Sequence, residues 1–380
     1  MTYTCLLKTS DNEFGIYSIP SSGGPPKLVT RFGAGWGWPQ GLAWTANSEK
    51  LILSRPQTGD DFELDEVTLA NGTLRKLPIG QDAVHPVISA KGDKLAYEVL
   101  SSPHADIWRR DLSHPEAAAV KLLSSTRDQD SPQYSPDGKH IAFNSNRGGT
   151  WEIWMSDADG THLVQMSDLK SSNSGTPRWS PDSQRIAFDS RQSGLPEVYI
   201  VDISERTPRK VATNVSEMST PNWSHDGKWL YFQASTSSAP DLRIFRCPAS
   251  GGDAAPLSAE FRSKPSESID GETLYFTNVT TTTVHMIPLN RAVAESKLKG
   301  MPVIEGQTQW TVASEGIYFV PADAPKSVRY FDFATKQVHK VFETEKASSY
   351  GMSVSPDGRW ILYTQAGEDN SDIMLVENFR

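Results

Sequence analysis

Residues 131–160 read SPQYSPDGKHIAFNSNRGGTWEIWMSDADG. Four short strand-like runs can be marked from this point: Gln133-Tyr134, residues 141–144, residues 152–155 and, just beyond, residues 162–166. Gly, Pro, Asp and Asn divide them, which is the pattern of strands separated by tight turns. The S-P-D-G step has a mechanical reason, since Pro presets φ and Gly accepts the positive φ that ends the turn. D-A-D-G at 157–160 marks a second hairpin.

The same reading recurs along the chain. TPRWSPDSQRIAF begins at Thr176 and TPNWSHDGKWLYF at Thr220. The first apolar residue after the turn is Leu51, Leu95, Ile141, Ile186, Leu230, Leu274, Ile317 and Ile361, with spacings of 44, 46, 45, 44, 44, 43 and 44. The first copy, at Ala43-Trp44, and the seventh, at Gln309-Trp310, are the weakest, the seventh with a shortened turn. Four strands per period of about 40–45 residues is the arithmetic of a propeller blade. The expectation is an all-β, closed β-propeller of four-stranded antiparallel blades. It spans 1–380 as one domain, with eight blades, or nine if residues 1–31 form a partial one. Stacked blades would bury Tyr134, Phe143, Trp179, Phe188, Trp223, Phe232, Phe276 and Tyr363 between neighbours, as core rather than as a ligand box. Residues 290–300 alone look helical.

At these residues the chain resembles the WD40-like, or TolB-like (PD40), propeller repeat, whose core reads P-x-W/Y-S-P-D-G-x-x-I-A-F followed by E-I-W/Y. The closing run SVSPDGRWILY, from Ser353 to Tyr363, and residues 372–380 also resemble the C-terminal propeller of bacterial winged-helix sensor-type regulators. The resemblance implies a sensor or protein-binding role and a periplasmic or otherwise extracytoplasmic location.

The ends leave three strand-like runs over, 3–9, 15–19 and 27–31, and a last unit without its outermost strand. An N-terminal strand pairing with residues 372–377 would tie the ring, because a propeller cannot leave its ends open.

Composition narrows the partners. Lys and Arg number 37 and Asp and Glu 46, a net charge of −9, so a broad basic footprint for nucleic acid is missing. The longest apolar runs are too short to span a membrane, and the first residues, MTYTCLLKTSDNEFG, lack the basic-then-apolar pattern of a secretory signal. Cys5 and Cys247 stand alone and read as free thiols.

Catalytic signatures are missing from the sequence: there is no G-x-S-x-G elbow, no H-E-x-x-H and no P-loop. Hairpin geometry explains the Asp residues of the D-G turns without calcium. The expectation is therefore a monomeric, non-catalytic binding, sensor or scaffold module without cofactor or metal. It would present its loop face and central channel to a protein, peptide or small ligand. The alternative is a lyase or hydrolase acting on a sugar or peptide in the channel. Loops entering the inner strands carry Trp36, Trp38, His85, Asp130, Glu217, Arg262, Lys264, Gln309 and Tyr350. Arg178 lies within an inner strand, where other units have Val87, Gln133, Asn222 and Ser266. The Trp36/Trp38 loop is the most aromatic of these and the first candidate for recognition.

Overall fold

The structure, a computed structural model, describes residues 2–10, 13–33, 39–56, 62–79, 82–101, 104–114, 116–125, 127–171, 173–236, 239–258, 262–291, 293–367 and 370–379. Among them the chain forms strands and turns and no helix, so the fold is all-β. Residues 290–300 are not helical: they hold the short strand Ser296–Lys297, which pairs with His285 and Met286. An outer strand satisfies its backbone from its neighbour, and that pairing overrides a weak local preference.

The chain divides into two compact units, His104–Gly367 and the remainder, Met1–Pro103 with Glu368–Arg380. The larger unit holds six four-stranded antiparallel sheets. Sheets 1 to 5 are built in chain order from residues 129–165, 174–210, 216–256, 262–297 and 310–343. Sheet 6 is composite: Ser348–Val354 and Trp360–Ala366 supply its inner strands, and Ala105–Asp111 and Val120–Leu123 its outer ones. Asp111 stands opposite Trp360 and Ala105 opposite Ala366, so the first strand of the unit is zipped onto its last hairpin.

The smaller unit holds three sheets. One joins Thr2–Ser10, Glu13–Pro20 and Lys27–Gly33. The second joins Leu42–Trp44, Lys50–Pro56, Phe62–Thr68 and Leu74–Lys76, and the third Ala83–Ile88, Lys94–Ser101 and Asn370–Glu377. The expected closure, an N-terminal strand paired with residues 372–377, is not formed. Those residues lie against Lys94–Ser101, with Glu377 opposite Lys94 and an ion pair of 2.9 Å between them. The repeats beginning at Leu95 and Ile361 have thus exchanged their outer strands. Hairpin register is set locally by turns, whereas this pairing joins segments more than 250 residues apart, which a repeat period does not encode.

The eight aromatics expected in the core are all buried. Apolar clusters join each sheet of the larger unit to the next. Trp179, Phe188, Ala142 and Ile153 join sheets 1 and 2, and Trp223, Ala187, Val198 and Phe232 join sheets 2 and 3. Ile244 meets Leu274 and Phe276 between sheets 3 and 4, while Tyr275 meets Trp310 and Phe319 between sheets 4 and 5. Val320 and Phe342 meet Ile361 and Tyr363 between sheets 5 and 6. Ile107 and Leu362 then meet Tyr134 and Phe143, so sheet 6 packs on sheet 1.

One backbone device recurs in the inner strands. Ser131, Thr176, Thr220 and Lys264 each precede a proline and each take φ between 49° and 52°. The ladder slips at the same places, between Asp130 and Gln133, Gly175 and Arg178, Ser219 and Asn222, and Ser263 and Ser266. Proline has no N–H to give a ladder, and the bulge takes it out of register. A left-handed non-glycine residue costs roughly 1–2 kcal/mol, so the neighbouring sheets must hold it. In sheet 6 the slip falls between Ser348 and Met352, and Gly351 takes the positive φ.

The D-G turns explain their aspartates. Ser135 Oγ donates to Asp137 at 2.6 Å, the Lys139 amide donates to the same carboxylate at 3.1 Å, and the His140 amide donates to Ser135 Oγ at 2.9 Å. The same set recurs at Ser224/Asp226, Ser268/Asp270 and Ser355/Asp357.

Candidate functional site

The inner strand of each sheet in the larger unit lines a common cavity, through Gln133, Arg178, Asn222, Ser266, Thr311 and Ser353. The cavity is narrow and polar, about 50 Å³, with Lys264, Trp310 and Met352 completing its wall. These six stand two residues beyond the bulge in sheets 1 to 4 and at the matching place in sheets 5 and 6. The kink turns one column of each inner strand inward.

Several wall residues are tied to the neighbouring sheet. Gln133 Oε1 accepts the Trp179 amide at 2.8 Å, and Trp179 Nε1 donates to the Gln133 carbonyl at 3.2 Å. Trp223 Nε1 donates to the Arg178 carbonyl at 3.1 Å, and Asn222 Nδ2 to the Pro265 carbonyl at 3.0 Å. The buried tryptophans therefore fix the backbone that carries the wall.

The two cations differ from the rest. Arg178 donates one N–H to its neighbour Pro177 at 2.7 Å, and among the described residues no other acceptor takes its remaining donors. Among the described residues no carboxylate stands within ion-pair distance of it; Asp189 acts on it only through space. Burial lowers the guanidinium to about 10, so it stays charged at neutral pH. Lys264 is 6 % exposed, and its ammonium donates to the carbonyls of Thr308, at 2.6 Å, and Trp310 and lies 4.7 Å over the Trp310 ring. Burial, and then the Arg178 charge, hold Lys264 well below the usual lysine value. Asp189 itself accepts from Thr176 Oγ1 and, at 3.3 Å, from the Thr220 amide, and burial raises its carboxyl.

The other candidates lie elsewhere. Trp36 and Trp38 fall outside the described residues. His85, in the smaller unit, has φ 49° and an exposed ring whose Nδ1 is 2.9 Å from Glu98. Asp130 is tied to Ser131 and Asn144. Glu217 accepts from Ser235 Oγ at 3.2 Å, and Arg262 pairs with Glu295 at 2.5 Å. Tyr350 is exposed, and Gln309 Oε1 is buried without a partner. Among the described residues of the expected set, Arg178 and Lys264 alone reach the cavity. The column containing Gln133, Asn222 and Ser266 was readable as aligned repeat positions. Thr311 and Ser353 were not, because the proline that marks the column is missing from both copies.

Two carboxyls near the inner strands titrate out of their usual range. Burial raises Asp130 to about 6 and Glu267 to about 7, the latter despite accepting the His225 amide at 2.8 Å. A carboxyl raised on folding favours the folded state fully below its unfolded value and loses that contribution as pH rises through its folded one. Glu267→Gln is therefore expected to flatten the fall in unfolding free energy between pH 5 and 8 by on the order of 1–3 kcal/mol relative to wild type. Urea titrations at the two pH values measure it, and an unchanged difference would place Glu267 in water.

Residues 131–302 match the TolB β-propeller domain. That segment is less than half of the chain and carries nearly all of sheets 1 to 4, with five of the nine wall residues. An Agrobacterium fabrum protein, Atu1656, is 31 % identical over 80 residues, which is 21 % of this chain and 27 % of that protein. The chain therefore spans about a quarter of the length of that curated relative. TolB of Acinetobacter baumannii aligns with 98 % of this chain and 66 % of its own, at 15 % identity and a TM-score of 0.35. A chain of the nidogen/laminin complex aligns over 71 % of this chain and 98 % of its own, at 10 % identity and a TM-score of 0.50, a likeness of fold alone.

Proposed function

We propose that this protein is a non-catalytic binding module, and that its larger unit is a closed propeller of six four-stranded blades whose axial cavity receives the ligand. The ring reading is supported by the cyclic series of apolar clusters and by the pairing of Ala105–Asp111 with Trp360–Ala366, which ties the unit's first strand to its last. The observation that carries the functional reading is the wall itself, at least one polar residue from each of six sheets around one cavity. Pockets with a few convergent polar groups on a rigid frame are where binding is expected. In a sensor of the kind the C-terminal resemblance implies, this cavity would be the receiving end.

The groups at hand suit recognition better than turnover. The wall carries a fixed cation, a lysine held by two carbonyls, and neutral amides and hydroxyls. It lacks a paired acid and base within reach of one reacting atom. A selection of random displayed peptides on the immobilised chain tests this. Enriched peptides should lose binding to Arg178→Glu, while that variant keeps its unfolding midpoint. Failure to enrich any sequence, together with turnover of glycoside or peptide substrates that Arg178→Glu abolishes, would overturn the reading in favour of an enzyme.

A further inference from the structure

The cavity has a charge with no ion-pair partner among the described residues; Asp189 reaches it only through space. Arg178 carries five N–H donors and spends one on Pro177. A half-buried guanidinium with unspent donors on a polar cavity is a ready receptor for an anion. Lys264 stands close enough to feel the Arg178 charge and is held from behind by the Thr308 and Trp310 carbonyls. Around them Gln133, Asn222, Ser266 and Thr311 offer neutral polar atoms only. The wall is therefore cationic within an acidic chain of net charge −9.

Resting on the binding-module reading above, we propose that this cavity binds a carboxylate, gripped by the Arg178 guanidinium with Lys264 beside it. The geometry selects this anion. A guanidinium presents parallel N–H groups that match the two oxygens of a planar carboxylate. Lys264 has at most one of its three donors left once two carbonyls are served. One full cation and one spare lysine donor match a monoanion and leave a phosphate dianion short of partners. At about 50 Å³ the cavity has room for a carboxylate group. The carboxylate arrives either as a small free acid or at the tip of a peptide side chain.

The test uses the full chain at constant ionic strength. Sodium formate and sodium acetate are titrated in exchange for sodium chloride while the thermal midpoint is followed. In a second arm the probe is an acetylated, amidated tetrapeptide with a single aspartate, with its asparagine twin as control. A saturable rise in midpoint with formate or acetate identifies a free acid as the source. A rise with the aspartate peptide alone identifies a side chain. In either case Arg178→Gln should weaken the apparent affinity at least tenfold, and Arg178→Lys should retain part of it. Arg178→Lys also guards against a folding defect, because its midpoint in chloride can be compared directly. No saturable shift with any probe, or a shift indifferent to Arg178→Gln, would overturn the proposal. Selected peptides that bind through Arg178 without bearing a carboxylate would overturn it too, and would leave the binding-module reading standing.

Discussion

Trp179→Ala is expected to lower the unfolding free energy by about 3–5 kcal/mol, the cost of removing a large aromatic from a packed interior. The ring is 3 % exposed and packs with Ala142, Ile153 and Phe188, two residues from sheet 1 and one from its own sheet 2. It also stands 6.1 Å from the His140 ring and donates to the Gln133 carbonyl. Deleting it leaves a cavity at the seam between two sheets, where neither can collapse without moving an inner strand. Trp179→Phe separates the two contributions. It keeps most of the apolar area and loses the N–H, so it should cost about 1–2 kcal/mol. Trp223→Ala should behave as Trp179→Ala does, because Trp223 makes the same bond to Arg178 one sheet further on. Denaturant midpoints at unchanged slope measure all three. An Ala variant with a wild-type midpoint would show that the column is not the seam.

The Trp column also shows what a repeat sequence discloses. Short strands, D-G turns and the buried aromatic positions were legible because each is local: a turn of four residues, or a period-2 alternation on a strand. Arg178 was legible as the charged member of an otherwise neutral column. The exchange of outer strands between the repeats at Leu95 and Ile361 was not. Residues 105–111 and 370–377 have the same strand chemistry, and nothing in either states which hairpin it will join. Partner choice follows the fit of whole sheets, for example the packing of Arg109 and Arg359 against the Trp360 ring and the ion pair of Arg359 with Asp111. The division of the chain into two units follows from that exchange. The cavity was only partly legible for a similar reason. Sheets 5 and 6 reach it with Thr311 and Ser353 through strands that lack the repeat's proline, so alignment by motif stops at sheet 4.

Gly351→Ala is expected to be among the most damaging single-methyl changes in the chain, costing about 2–5 kcal/mol from left-handed strain together with overpacking. Gly351 has φ +85°, and a Cβ there would stand 2.5 Å from Ser131 Cα and 3.1 Å from Ser131 N. Both are backbone atoms, so no rotamer change relieves the contact. Ser131 is itself left-handed at the bulge of sheet 1, and the Tyr134 amide donates to Ser353 Oγ at 3.1 Å across the same seam. The close approach thus joins the inner strand of sheet 6 to that of sheet 1. Gly358→Ala supplies the comparison. Gly358 also has a positive φ, +72°, but no atom lies within 4 Å of its would-be Cβ, so it should show the conformational cost alone, about 1–2 kcal/mol. The damage from Gly351→Ala should also be local. Amide exchange in Gln129–Tyr134 and Ser348–Val354 should accelerate more than in Arg262–Glu267, because the methyl forces apart the first and last sheets of the unit and leaves the opposite strands packed. Equal losses for the two glycines would remove the close approach, and uniform exchange across all three strands would mean that the seam is not where the unit opens first.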